Sequence, residues 1–188
     1  WRKRLDFGTG TFGDMGIFSF QMNKNMTSGE GGAVVTNDDH LYKRAFACHD
    51  LGYVRDENGR LMYQNAEMNL WGKGCRLDEL RAAILRVQLG KLPMITAAMQ
   101  RSKYRIRRAL EKYPQVQLRR VLDHAGDTGC FLITTYKDAA TAREINRRLR
   151  EDGIVTWPQG VSNILMTQWG LHLYYNIASL VKQTSVDG

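Results

Sequence analysis

Cysteine is scarce in this 188-residue chain, and the three that occur, Cys48, Cys75 and Cys130, are odd in number and far apart. That spacing argues against a disulfide framework or a cysteine-rich zinc site and favours a reducing compartment, so a cytoplasmic protein is expected. His40, His49, His124 and His172 are equally scattered, without metal-ligand spacing, and no metal is expected. No apolar run is long enough to span a bilayer and no signal-peptide pattern is present, so no membrane partner is expected. Acidic residues are in short supply as well: 19 stand against 27 lysines and arginines, for a formal charge of +8. Such a balance raises nucleic-acid binding as a reading. Much of the excess, however, lies in residues 101–108 and 147–150, on predicted helices whose other positions are apolar. A solvated polar face accounts for both runs. No zinc finger, RNP-type aromatic set or helix-turn-helix accompanies them, and no nucleic-acid partner is expected.

What is present is a globular composition, 43% hydrophobic and 24% charged. The chain is organised around residues 17–35, IFSFQMNKNMTSGEGGAVV. Two apolar, β-prone runs, 17–22 and 33–35, flank a small, polar, Gly-rich segment, which predicts strand, loop and returning strand. Gly29, Gly31 and Gly32 allow the tight return beside Glu30. Lys24 therefore stands on a scaffolded loop, where functional side chains often lie. On spacing alone the commoner reading of Lys24 is a solvated lysine in a hairpin. The sharper reading is a Schiff-base lysine, an amine held near an electrophilic carbonyl or pyridoxal phosphate. The GEGG run is no P-loop, because the Gly-Lys-Ser/Thr ending is missing.

Beyond the hairpin, Asp38 or Asp39 is placed to cap a helix to about Cys48, and Gly52 suits its stop. Residues 52–75 read as a long polar connection with a turn at Asp56-Glu57-Asn58-Gly59. Leu77, Leu80, Ile84 and Val87 recur at helical spacing and predict an inward face. Pro93 is expected to interrupt or re-aim that helix, and a second one, with Ile95, Ala98, Ile106 and Leu110 inward, is expected to run to about Lys112. Strands are expected at 116–118, 130–136 and 154–156, with a helix over 139–152 and a turn at Gly126-Asp127-Thr128-Gly129. Strand–helix–strand on a small sheet suits an α+β lobe. The aromatic and amide-rich residues 163–176 read as packing around a core.

The run Gly13-Asp14-Met15-Gly16-Ile17-Phe18-Ser19-Phe20, then Lys24, then Gly29-Glu30-Gly31-Gly32-Ala33-Val34-Val35-Thr36-Asn37-Asp38 resembles the active-site segment of the DegT/StrS sugar aminotransferases, pyridoxal-phosphate enzymes of fold type I. A second block, Arg76-Leu77-Asp78-Glu79-Leu80-Arg81-Ala82-Ala83-Ile84 with Gln88-Leu89 and Lys91-Leu92, is similar to the helix of that family written Arg-Met-x-Glu-Leu-Gln-Ala-Ala. Residues 126–133 and 163–176 look similar to a subgroup that includes the 8-amino-3,8-dideoxy-manno-octulosonate transaminases.

The resemblance implies an α/β chain. Residues 1–92 would be the C-terminal part of the cofactor-binding large domain of a fold type I transferase. Residues 93–188 would supply the interdomain helix and an incomplete α+β small domain. It implies pyridoxal 5'-phosphate as cofactor, Lys24 as the catalytic lysine bonded to its aldehyde and Ser19 as a contact to its phosphate. A keto or aldehyde sugar would accept the amino group and glutamate would donate it, in a homodimer whose 52–75 connection reaches the neighbour's site. The family's pyridine-facing aspartate falls upstream of these residues, so the chain is expected to be a fragment, inactive alone. One departure stands out: Gly74 occupies the place of an asparagine that reaches the partner's cofactor phosphate, with Lys73 a compensating charge. Three rivals are set against this reading. A related sugar dehydratase carries histidine in place of the lysine, which Lys24 opposes. The others are a non-catalytic or regulatory relative of the same fold and a basic nucleic-acid module.

Overall fold

The computed structural model describes residues 8–62, 69–154, 165–166 and 174–184. Their elements, in chain order, are β1 (Gly16–Ser19), β2 (Gly32–Val35), α1 (Asp39–His49), α2 (Glu79–Leu110), β3 (Gln117–Leu118), β4 (Thr134–Thr135), α3 (Ala139–Glu151) and α4 (Ala178–Lys182), with a 3-10 turn at Tyr174–Asn176. The chain divides into two compact units, Trp1–Ile106 with Arg120–Phe131, and Arg107–Arg119 with Leu132–Gly188.

In the first unit β1 and β2 pair antiparallel, with Ile17 opposite Val34 and Ser19 opposite Gly32. The Phe20 N–H donates to the Gly31 carbonyl at 2.8 Å and carries the ladder one step past the strands. Helix α1 starts where the sequence asks: the Asp38 carboxylate accepts the Leu41 N–H at 2.8 Å, satisfying a donor the first turn leaves unpaired. It stops at Asp50 and Gly52, whose N–H reaches the Ala47 carbonyl at 2.6 Å. Gly52 has φ 97°, and a Cβ there would collide with the Leu70 carbonyl oxygen. The chain leaves α1 at Gly52 and comes back against it at Gly72, where the Lys73 N–H donates to the Cys48 carbonyl at 3.0 Å. Within the excursion the expected turn at Asp56–Gly59 is present, closed by the Gly59 N–H on the Asp56 carbonyl.

Helix α2 departs from expectation twice. It is one helix of 32 residues with Pro93 inside it. A mid-helix proline costs about 3 kcal/mol because it lacks an N–H and crowds the preceding turn. The carbonyl it strands is that of Leu89, a residue on an exposed stretch of helix, where solvent can reach a carbonyl left without its helical donor. The stripe read as inward is mostly turned outward. Leu77 is half-buried, but Leu80, Ile84 and Val87 are exposed, Leu80 at 80%, whereas Leu85 is buried. Of the four residues read as inward beyond Pro93, Ile95 and Leu110 are half-buried and Ala98 and Ile106 exposed. Ala47, Val54 and Leu85 are the buried apolar side chains among the described residues.

In the second unit β3 and β4 pair antiparallel through Gln117–Thr135 and Leu118–Thr134, and the Arg119 N–H extends them to the Ile133 carbonyl. The strand expected from residue 130 is confined to Thr134–Thr135. The physical reason lies just before it: residues 120–131 belong to the first unit, where Gln100 Nε2 donates to the Ala125 and Asp127 carbonyls. Helix α3 matches its sequence pattern, with Asp138 accepting the Thr141 N–H at 2.7 Å and Thr141, Ala142, Ile145 and Leu149 half-buried on one side. Of the strand expected at 154–156, residue 154 is not in a strand and the rest lies outside the described residues, as do most of residues 163–176.

Candidate active site

The loop joining β1 to β2 is built largely from its own hydrogen bonds. The Thr27 hydroxyl and the Ser28 N–H both donate to the Phe20 carbonyl, at 2.9 and 3.1 Å, and fold the loop back on its first residue. The Ser28 hydroxyl donates to the Glu30 carbonyl at 2.8 Å, which shapes the return into β2.

Ser19 is the last residue of β1, and Lys24 stands in the loop. Gln21 links them: its N–H donates to Ser19 Oγ at 3.3 Å, and its carbonyl accepts the Lys24 N–H at 2.9 Å. The side chain of Lys24 is exposed, and among the described residues its amine takes part in no hydrogen bond or ion pair. Ser19 Oγ accepts a hydrogen bond and keeps its own proton to give. The structure thus places an available amine on a self-bonded loop and an available hydroxyl donor on the strand end that leads into it.

A cleft of about 460 Å³ lies beside this loop, between β1–β2 and α1, walled by Ile17, Phe18, Val34, Tyr42, Phe46, His49, Cys75 and Leu77. Neither Ser19 nor Lys24 lines it, and its walls are mostly apolar. It is a gap over the sheet, apart from both candidate residues.

Leu77 ties the loop to the chain that follows the long connection, since a Cβ on Gly31 would meet Leu77 Cδ1 at 3.0 Å. Just before Leu77, Arg76 pairs with Asp50 at 2.6 Å, and Arg55 holds the other Asp50 oxygen at 2.6 Å. The Asp50 carboxyl is held below the usual carboxylate range by the hydrogen bond from Arg55, against the opposing pull of burial and with Arg76 adding to it. Sequence reasoning missed this cluster. Its one signal was the acid beside the helix-stopping glycine.

Gly74, the departure noted in the sequence, has φ 65°. Asparagine and glycine are the residues that tolerate that conformation, so glycine keeps the backbone path while giving up the side chain. A second buried charge, Lys103, was read as part of a solvated face. It is 7% exposed and bonds Asp127 at 2.5 Å, with the Tyr104 hydroxyl on the same oxygen at 2.8 Å. Burial works to raise the Asp127 pKa, but Lys103, Tyr104 and the Gly129 N–H outweigh it and the net direction is down.

Residues 6–165 match the model of the DegT/DnrJ/EryC1/StrS aminotransferase family. The chain belongs to that family. Among its relatives, the L-glutamine:2-deoxy-scyllo-inosose aminotransferase of Micromonospora echinospora is 41% identical over 103 residues, 52% of this chain and 23% of that protein. The 3-amino-5-hydroxybenzoate synthase of Amycolatopsis mediterranei is 41% identical over 85 residues, 44% of this chain and 20% of that protein. Among solved structures, the aminotransferase TlmJ of Streptoalloteichus hindustanus superposes with a TM-score of 0.65 at 25% identity, over 77% of this chain and 38% of that one. An E. coli GDP-4-keto-6-deoxy-D-mannose-3-dehydratase with bound hydrated PLP gives 0.65 at 21% identity, over 87% of this chain and 44% of that one. The fold is the α/β fold of type I pyridoxal-phosphate transferases, and the chain spans less than half the length of the family members it matches. Among the described residues no helix is long and apolar enough to cross a membrane.

Proposed function

We propose that this chain is part of a pyridoxal-phosphate-dependent aminotransferase that moves an amino group from glutamate or its amide to a keto or aldehyde sugar. Relatives named for L-glutamine as donor and a cyclic polyol ketone as acceptor support that substrate class. The observation that carries the reading is the Lys24 amine, unengaged among the described residues, on a loop that opens with Ser19.

The donor set fits the cofactor. An aldehyde needs an amine that no carboxylate has already taken, and Lys24 meets that condition. A phosphate ester needs hydrogen-bond donors, and Ser19 Oγ has a proton to give. When bound, the cofactor supplies the aldehyde that carries the amino group and the conjugated ring that takes up the electron pair. Lys24 Nζ would hold the group by its aldehyde and, once freed, would serve as the base at the donor's Cα. Ser19, five positions away in sequence, would hold its phosphate end. Residues 1–92 act as the cofactor-binding part and residues 93–188 as interdomain helix and small lobe, with a homodimer as the working assembly.

The test is reduction of the intact enzyme with borohydride, followed by peptide mass mapping. The expected result is a pyridoxyl tag on Lys24. A tag on a different lysine, or none, overturns the assignment.

A further inference from the structure

We propose that Asp50 is a positioning residue for the Lys24 loop, acting through Arg76 and Leu77. The proposal rests on the reading of Lys24 given above.

Three stretches of chain meet at the Asp50 carboxylate. Its own backbone closes α1, with the Asp50 N–H on the Phe46 carbonyl at 3.1 Å. Its Oδ2 accepts the Arg55 Nε–H at 2.6 Å, and Arg55 Nη1 goes on to donate to the Gly59 carbonyl at 2.8 Å. Its Oδ1 accepts the Arg76 Nε–H at 2.6 Å, with Nη2 of the same guanidinium on that oxygen. The carboxylate is 8% exposed, while the two arginine side chains are 35% and 55% exposed. The anion is therefore the fixed centre and the arginines are the arms it holds.

The arm that matters for the site is Arg76. The next residue, Leu77, stands against Gly31, which accepts the Phe20 N–H at 2.8 Å. That bond closes the neck of the loop bearing Lys24. Leu77 Cδ1 stands 3.0 Å from where a Cβ on Gly31 would lie, so the leucine side chain sits over the Gly31 backbone at the neck of the loop. Moving Leu77 takes that cover from the Phe20–Gly31 pair. The β1–β2 ladder anchors both ends of the loop, and the loop's own hydrogen bonds hold Lys24 within it. Leu77, fixed by Arg76 and Asp50, adds a support from outside the hairpin.

The experiment is amide hydrogen exchange on the intact protein with the cofactor removed, reading peptides over residues 19–32 and, as an internal control, α3. Asp50→Asn keeps the shape and removes the charge. Exchange over 19–32 is expected to accelerate about tenfold with α3 unchanged. Leu77→Ala, which leaves Asp50 and both arginines in place, is expected to give the same pattern. In the reloaded enzyme, the pH titration of the cofactor's visible band is expected to shift in Asp50→Asn. Unchanged exchange over 19–32 in either variant overturns the proposal. If Asp50→Asn accelerates α3 as well, Arg76→Lys decides: local acceleration supports the proposal and its absence overturns it. The exchange needs no cofactor, so its failure removes the role of Asp50 alone. Failure of the borohydride mapping removes the role of Lys24 and leaves the exchange result standing.

Discussion

Each unit contains a carboxylate flanked by two arginines, and the two clusters do different things. In the first, Asp50 is 8% exposed and its arginines lie 5 and 26 positions away, so it stitches separate stretches of chain together. In the second, Glu144 is 46% exposed and its partners, Arg147 and Arg148, sit on the same turn of α3. Arg147 also pairs with Glu151, one turn on. Pairs spaced three and four apart on an exposed helix add little each and are screened by salt. The same chemistry thus serves as a tie near the Lys24 loop and as the solvated face of a helix elsewhere. The first unit spends its polar groups on placing a loop, and the second on holding its own helix.

The sharpest division between the units concerns chemistry. If Lys24 has the role proposed above, Lys24→Ala in the intact enzyme is expected to lower kcat by at least about a thousandfold, since Nζ would be both the attachment point and the base. Lys137→Ala, on the exposed start of α3, is expected to leave kcat unchanged. A comparable loss from Lys137→Ala would erase the distinction. Folding comes next. Gly52→Ala puts a Cβ into the Leu70 carbonyl at a φ of 97° and is expected to cost about 3 kcal/mol or more in urea unfolding. Gly153→Ala, at φ 76° with open space around the new carbon, is expected to cost about 1 kcal/mol. Equal costs would mean that the close approach at Gly52 does not matter.

The smallest effect is electrostatic. Glu144→Gln is expected to move Tm by less than about 2 °C. Hydrogen bonds from Arg147 and then Arg148, against the opposing effect of burial, take the Glu144 pKa from 4.5 to about 2. Its stabilising contribution is therefore present in full above pH 4.5 and fades as pH falls through about 2. An NMR titration of the Glu144 carboxyl checks the midpoint, and a midpoint near 4.5 would show that the ion pairs do not persist in solution.

The local elements were legible in the sequence because their causes are local. Asp38 and Asp138 sit three residues before the N–H groups they cap, and the Gly-rich return of the Lys24 hairpin announces itself. Ser19 and Lys24 could be named as candidates because their motif is contiguous. The rest depends on what packs against what. Periodicity finds the stripe Leu80–Ile84–Val87 but not which side of α2 the described chain covers, and that side carries Leu85 instead. Pro93 reads as a break when its cost is charged to a buried helix, whereas here it falls on an exposed one. Lys103 looked solvated because its counter-ion, Asp127, is 24 positions away. Asp50 and Arg76 are invisible as a pair for the same reason.

The near-contact of Gly52 with Gly72 closes the 52–72 excursion at its base, much as a drawstring closes a bag. A segment that departs and returns at one point can vary at its far side without moving the helices on either side. Insertions are tolerated at the exposed turn residues Glu57, Asn58 and Gly59, and not at the stem, where Val54 is buried and Arg55 is tied to Asp50.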